Sequence, residues 1–272
     1  MDRLKTLIKE SLTAGKVAGV VGIKREDGHP RPALFTQENI DEVESLVVDE
    51  NRYPLAQVLL KISRKHPEAC LGIVVRGCDE RAVIELIRNE QLKKEQVVCF
   101  GVPCDSATAD ACKCPQPHPN EVVEGDKVAP VSDAEETARW EGMSQEEKLD
   151  YWMGQFSKCI RCYGCRNICP ACFCETCALD DTELVRTGVM PPEIPIFHLI
   201  KAFHMAERCS DCGLCEEACP ANIPLRSLCK KAREIMGDLF DFLPGAAQEG
   251  KGPLQLLGDG KFGTAAPHDG EG

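Results

Sequence analysis

Two folded parts of different class are predicted: an α/β N-terminal domain over residues 1–114, with a small sheet containing parallel strands, and an α+β domain over residues 135–243. Three observations predict them. Short apolar runs alternate with helical periodicity through the first hundred residues. A proline- and acid-rich stretch, 115–134, reads as a linker, and beyond it cysteines crowd into two runs of equal spacing. Residues 244–272, mostly Gly, Ala and polar, read as a flexible tail.

In chain order, Val17–Ile23 and Pro32–Thr36 are apolar runs on either side of EDGHPR, where Asp27-Gly28 supplies turn chemistry, so a β-hairpin is expected. Two helical patterns follow, Glu38–Val48 and Pro54–Lys65; in the second, Leu55, Val58, Leu59 and Ile62 recur at helical spacing. Cys70–Val75 reads as a buried strand, DERAVIELIRNEQL as an amphipathic helix started by Asp79, and Gln96–Val102 as a second buried strand. This is a βαβ unit, whose ligands usually sit beyond the carboxyl ends of its strands, where Cys78 and Cys104 fall. Glu135–Gln155 reads as one helix, and Leu225–Phe242 as the last helical segment. Between them, PPEIPIFHLIKAFHMAE places Ile194, Phe197, Ile200 and Phe203 on one apolar face; its His198 and His204 are read as packing residues, with Met205 beside them.

With 272 residues, 43% of them hydrophobic, each part has a core to bury. A net charge of −12 argues against nucleic acid, which demands a basic footprint. The opening MDRLKTLIKESLTAGK has no secretory apolar region, and no run approaches the ~20 apolar residues of a membrane span. The 18 cysteines are therefore expected as thiols in a reducing cytoplasm rather than as a disulfide framework.

Cys159, Cys162, Cys165 and Cys169-Pro170 fit C-x2-C-x2-C-x3-C-P, and Cys209, Cys212, Cys215 and Cys219-Pro220 repeat it. Three closely spaced thiolates can wrap three corners of a 4Fe-4S cubane, and a remote thiolate closes the fourth; in two-cluster ferredoxins that last cysteine serves the other cluster. The expected ligand sets are Cys159, Cys162, Cys165 and Cys219 for one cluster, and Cys209, Cys212, Cys215 and Cys169 for the other. The second domain is thus expected to be a dicluster ferredoxin-like domain. Zinc prefers separated pairs. Lys158, Arg161 and Arg166 flank the first run, whereas Glu207, Asp211, Glu216 and Glu217 crowd the second with Arg208 as the one local offset. On that ground the Cys159 cluster is expected to have the higher potential.

Ten cysteines remain. Cys70, Cys99 and Cys229 are expected to be buried packing residues. A third centre, another 4Fe-4S cluster or a zinc, could draw on Cys78, Cys104, Cys112, Cys114, Cys174 and Cys177, with Cys172 the weakest candidate. The chain has no G-x-G-x-x-G or G-x-x-x-x-G-K-[ST] and no acid–base constellation, so no complete active site is expected.

The segments GVVGIKREDGHPRPALFTQENIDEV, NRYPLAQVLLKI, GIVVRGCDERAVIEL and VCFGVPCD resemble the N-terminal domain of the beta subunits of deazaflavin (coenzyme F420)-reducing hydrogenases and formate dehydrogenases, and CIRCYGCRNICPACFCETC resembles their ferredoxin segment. The resemblance covers residues 12–105 and 156–222. It implies an iron-sulfur electron-transfer subunit inside a multi-subunit oxidoreductase complex, with hydrogenase, formate dehydrogenase, heterodisulfide-reductase-like or aldehyde-oxidoreductase-like partners. The alternative it implies is a flavin-containing subunit that reduces a soluble carrier such as a deazaflavin, with FAD near Cys78, Asp79, Arg81 and Cys104. The long flavin-binding domain of the full-length relatives does not follow here, which weighs against FAD.

Overall fold

The computed structural model describes residues 1–181, 183, 186 and 195–256. Helix α1 (Asp2–Thr13) buries Leu4, Ile8 and Leu12, one residue per turn, against the sheet. The hairpin forms as β1 (Gly19–Glu26) and β2 (His29–Phe35), antiparallel with Val20 opposite Phe35. Asp27 (φ 51°) and Gly28 (φ 82°) both turn left-handed, as a tight two-residue hairpin turn requires.

The helix expected over Glu38–Val48 is corrected. A short 3-10 turn, Ile40–Ser45, drops Val43 into the core, and β3 (Leu46–Val47) then pairs antiparallel with β1. Pairing with the β1 edge wins over helical propensity. Helix α2 (Leu55–Lys65) is followed by β4 (Leu71–Val75), α3 (Gly77–Arg88) and β5 (Val97–Gly101). The strands β1, β4 and β5 run parallel, with Gly19 opposite Leu71 and Leu71 opposite Val97, in the sheet order β2-β1-β4-β5. Asp79 does not start α3; the helix begins two residues earlier, and the Asp79 carboxylate accepts the Arg76 backbone N–H in a capping box. Helices α2 and α3 cover one face of the sheet, and α1 with the 3-10 turn covers the other. Cys99 is exposed rather than buried, because β5 is an edge strand.

After α4 (Ser106–Ala111), residues 115–133 carry no helix or strand, yet they are pinned to the first domain. Cys104 donates its N–H to the Pro117 carbonyl, Val123 to Gly101, and Val131 to Cys114. Gly101 permits this approach, since a Cβ there would collide with the Glu121 carbonyl.

The helix expected over Glu135–Gln155 is two helices, α5 (Ala134–Glu141) and α6 (Gln145–Phe156). It breaks at Gly142, and Ser144 starts the second with a capping box to Glu147. Short helices α7 (Gly164–Asn167) and α9 (Leu214–Glu217) each begin one residue before the third cysteine of a run, and α8 (Ile196–Met205) lies between them in the chain. Helix α10 (Leu225–Phe240) stops at Asp241, which is left-handed. Among the described residues this second part has helices and loops but no strand, which corrects the α+β expectation; its irregular backbone is spent on the cysteine loops. Of the tail, residues 244–256 lie against the first domain: Gly245 donates to Glu85, and Gln255, within α11 (Pro253–Leu256), donates to Asn89. No helix among the described residues is long and apolar enough to cross a membrane.

Candidate iron-sulfur centres

The two cysteine runs fold alike. Arg161 and Tyr163 in the first, and Asp211 and Gly213 in the second, are left-handed at equivalent places. That curvature turns backbone amides toward sulfur: Arg161 N–H and Asp211 N–H donate to Cys159 Sγ and Cys209 Sγ at 3.4 Å, and Gly164 N–H donates to Cys162 Sγ at 3.5 Å. Such donors stabilise the thiolate, the form that binds a metal.

Cys159, Cys162, Cys165 and Cys219 line one small cavity with Phe197, His198, Ile223 and Leu225. The last cysteine of the second run thus meets the first three of the first run. Cys159, Cys165 and Cys219 pack, with Trp152, against an apolar cluster of Phe156, Ile223 and Leu225. Cys212 lies within charge reach of Cys169, Cys215 and Cys78, and Cys209 within reach of Cys169. Cys172 donates to Cys169 and lowers its pKa, and Cys229 likewise lowers that of Cys209. Cys229 is buried as expected, but its contacts are Cys209 and Cys215 rather than aliphatic core alone. Among the described residues, no three Cys, His, Asp or Glu side chains converge tightly enough for a single metal ion. A cubane sets its inorganic core between the thiolates and suits wider separations.

The six cysteines of the expected third centre divide. Cys78 lies near Cys104, and Cys104 near Cys112 and Cys114; burial, the first cause in each case, pushes Cys78 up to about 12 and Cys104 to about 11. Cys174 and Cys177 are placed elsewhere, lining a cavity with Cys172, Arg166 and Lys201. They belong to the loop after the first run.

Charge around the second run differs from its local sequence. Asp211, with a fully buried carboxylate, pairs with Arg226 at 2.7 Å, and Glu217 pairs with Arg52. Arg52 also donates to the Cys212 carbonyl, Arg81 to Ser210 at 3.0 Å, and Arg88 to Glu207 at 3.0 Å. Arg226 reaches both Asp211 and the Cys112 carbonyl. Arg52, Arg81 and Arg88 come from positions more than a hundred residues away in the chain. Two of the four acids that crowd the second run in the sequence, Asp211 and Glu217, are thus each paired with a guanidinium. Arg81 is buried in this contact, not solvated, and Asp79 is taken by its cap, so two residues expected near FAD are already engaged.

Helix α8 turns Phe197, His198, Lys201, Ala202 and Met205 inward, while Phe203 is 59% exposed. The face expected from Phe197, Ile200 and Phe203 is therefore corrected by a rotation that favours contact with sulfur; Ile194 lies outside the described residues. His198 stacks on Phe156 with ring centroids 4.3 Å apart, and burial followed by the Lys201 charge lowers its pKa to about 4. Met205 Sδ sits 3.7 Å from Cys169 Sγ, and Lys201 Nζ 3.7 Å from Cys172 Sγ. Nothing in the spacing of the cysteines announced Lys201 or the arginines; their only sequence signal is a charge placed in an otherwise apolar or helical pattern.

A sequence profile for 4Fe-4S binding domains matches residues 202–224. The chain is 38% identical over 97 residues to the F420-dependent formate dehydrogenase subunit beta of Methanocaldococcus jannaschii, a match covering 36% of this chain and 26% of that protein. It is 41% identical over 107 residues to the F420-dependent formate dehydrogenase 1 subunit beta of Methanococcus maripaludis, covering 38% and 27% respectively. The chain matches about a quarter of the length of these relatives. It is thus a protein with a 4Fe-4S binding domain at its second cysteine run and with homologues among the beta subunits of F420-dependent formate dehydrogenases.

Proposed function

We propose that the chain is an iron-sulfur electron-transfer subunit of a multi-subunit oxidoreductase, with two 4Fe-4S clusters in a dicluster ferredoxin-like arrangement. One is held by Cys159, Cys162, Cys165 and Cys219, the other by Cys209, Cys212, Cys215 and Cys169. The observation that carries this reading is the cavity lined by three cysteines of the first run together with the last of the second. Bound clusters supply one-electron redox chemistry. The chain's own residues gather the thiolates, exclude water through Phe156, Ile223 and Leu225, and balance charge through the arginines around the second run.

We further propose a third centre, a 4Fe-4S cluster or a zinc, on Cys78, Cys104, Cys112 and Cys114; its support is their proximity and that of Cys78 to Cys212. The three centres then form a series, with the Cys209 cluster in the middle and the last centre at the carboxyl ends of β4 and β5. Redox subunits of the kinds named for the resembling family are the proposed partners, in a reducing cytoplasm that would preserve the clusters. Iron and sulfide analysis of anaerobically purified protein, with EPR of the reduced form, tests the reading: about eight irons per chain support two cubanes and about twelve support three. Colourless protein, or protein loaded with zinc, overturns it.

A further inference from the structure

Lys201 has surroundings unusual for a lysine. Its residue is 4% exposed, on the inward face of α8, and among the described residues its recorded hydrogen-bond partner is Cys172 Sγ. A buried ammonium without a carboxylate is costly unless other negative charge compensates it. One turn before it on the same buried face of α8, Phe197 and His198 line the cavity of Cys159, Cys162, Cys165 and Cys219, and one turn after it Met205 meets Cys169 Sγ at 3.7 Å; the charged or ionisable groups nearest the ammonium are the sulfurs of Cys169, Cys172, Cys165 and Cys229. Cys165 belongs to one proposed ligand set and Cys169 to the other, so one ammonium stands within charge reach of both. A cubane held by four thiolates is already an anion when oxidised and becomes more negative with each electron accepted. A fixed cation at low exposure favours the reduced form.

We propose that Lys201 is a positioning residue shared by the two clusters, a single counter-charge set between their sulfur shells that raises both midpoint potentials together. The inference rests on the proposed occupancy of both ligand sets, and the unaltered protein separates the two questions. Failure of the unaltered chain to show two redox-active cubanes overturns the proposed function before any variant is read.

The test is an EPR-monitored redox titration of the anaerobically reconstituted full chain, with the Lys201→Met, Lys201→Gln and Lys201→Arg variants measured beside it. Neutral variants that keep their iron are expected to show both cluster midpoints shifted to lower potential, with Lys201→Arg restoring them toward the original values. Iron lost from the neutral variants but retained by Lys201→Arg also supports a charge requirement. Unmoved midpoints in an iron-replete neutral variant overturn the proposal, and a shift at one cluster alone overturns the sharing. Loss of iron from all three variants, Lys201→Arg included, assigns the residue a packing role and equally overturns it.

Discussion

Replacing Arg226 with Met should loosen the second cysteine run more than any other single surface-reachable change. Arg226 donates Nε to Asp211 Oδ1 at 2.7 Å, and its other guanidinium nitrogens reach the Asp211 and Cys112 carbonyls. The Asp211 side chain is 0% exposed, and its Oδ2 has no hydrogen-bond partner. Met keeps the stem but leaves a buried carboxylate uncompensated, a change that costs about 3–5 kcal/mol, and the lost Cys112 carbonyl bond adds about 1 kcal/mol. Arg226 is partly solvent-reachable and Asp211 can relax by taking up a proton, so the lower end, about 3 kcal/mol, is the expectation. Cluster loss makes unfolding irreversible, so the assay is a rate: bleaching of visible absorbance in urea with an iron chelator, under anaerobic conditions. If the pair is broken in the transition state, about 3 kcal/mol corresponds to roughly a hundredfold faster bleaching. The double variant Asp211→Asn, Arg226→Met should recover much of the loss, because the uncompensated charge is gone. The exposed pair Arg31–Glu26 is the control, and Arg31→Met should leave the rate unchanged. An Arg226→Met rate within about fivefold of the unaltered protein, some 1 kcal/mol, would refute the argument.

The remaining predictions concern ligation, pH and packing. Cys219→Ala should abolish the EPR signal of the Cys159 cluster and spare the other, and Cys169→Ala should do the reverse; loss of the signal from the same run in each case rules out crossed ligation. Cys78→Ser should lower iron content by about four per chain while Cys174→Ser and Cys177→Ser change nothing, and equal losses from all three contradict the proposed third set. His198, held near pKa 4 against an ordinary 6.5, stays neutral in the folded protein while the unfolded chain takes up its proton first. Stability should therefore be full above about pH 6.5 and fall by at most about 3 kcal/mol down to pH 4, and His198→Phe should flatten that slope in pH-dependent melts. Gly101→Ala drives a methyl group into the Glu121 carbonyl and should destabilise by about 2 kcal/mol or more, seen as a lowered melting temperature; an unchanged one would mean the 115–133 segment is not seated as described.

The parts of the fold governed by local rules were legible in the chain. Asp27-Gly28 between apolar runs marked its hairpin, and the β4–α3–β5 unit followed from apolar runs flanking an amphipathic stretch. The cysteine loops were legible because a cubane imposes close spacing on its ligands. What was hidden depends on distant partners. Glu38–Val48 has helix-like spacing, yet β1 offers Leu46 and Val47 a pairing edge that no local pattern reveals. Arg81 meets the Ser210 carbonyl across 129 positions, and Arg88 meets the Glu207 carbonyl across 119, so guanidinium groups in a helical pattern become buried donors that hold the second cysteine loop. Phe203, expected on the apolar face, is exposed while Lys201 is buried beside Cys172 Sγ, a preference for sulfur that a hydrophobic pattern does not reveal.

The guanidinium groups that grip the carbonyls of Glu207, Ser210 and Cys212 are rooted before α2 and in α3, outside the cysteine-rich half. The duplicated motif is consequently no portable cassette: excised at residue 135 it would keep all eight thiols and forfeit the scaffold that holds one of its loops. Any lineage that shuffled this half onto another protein would have had to carry the arginines along or evolve replacements.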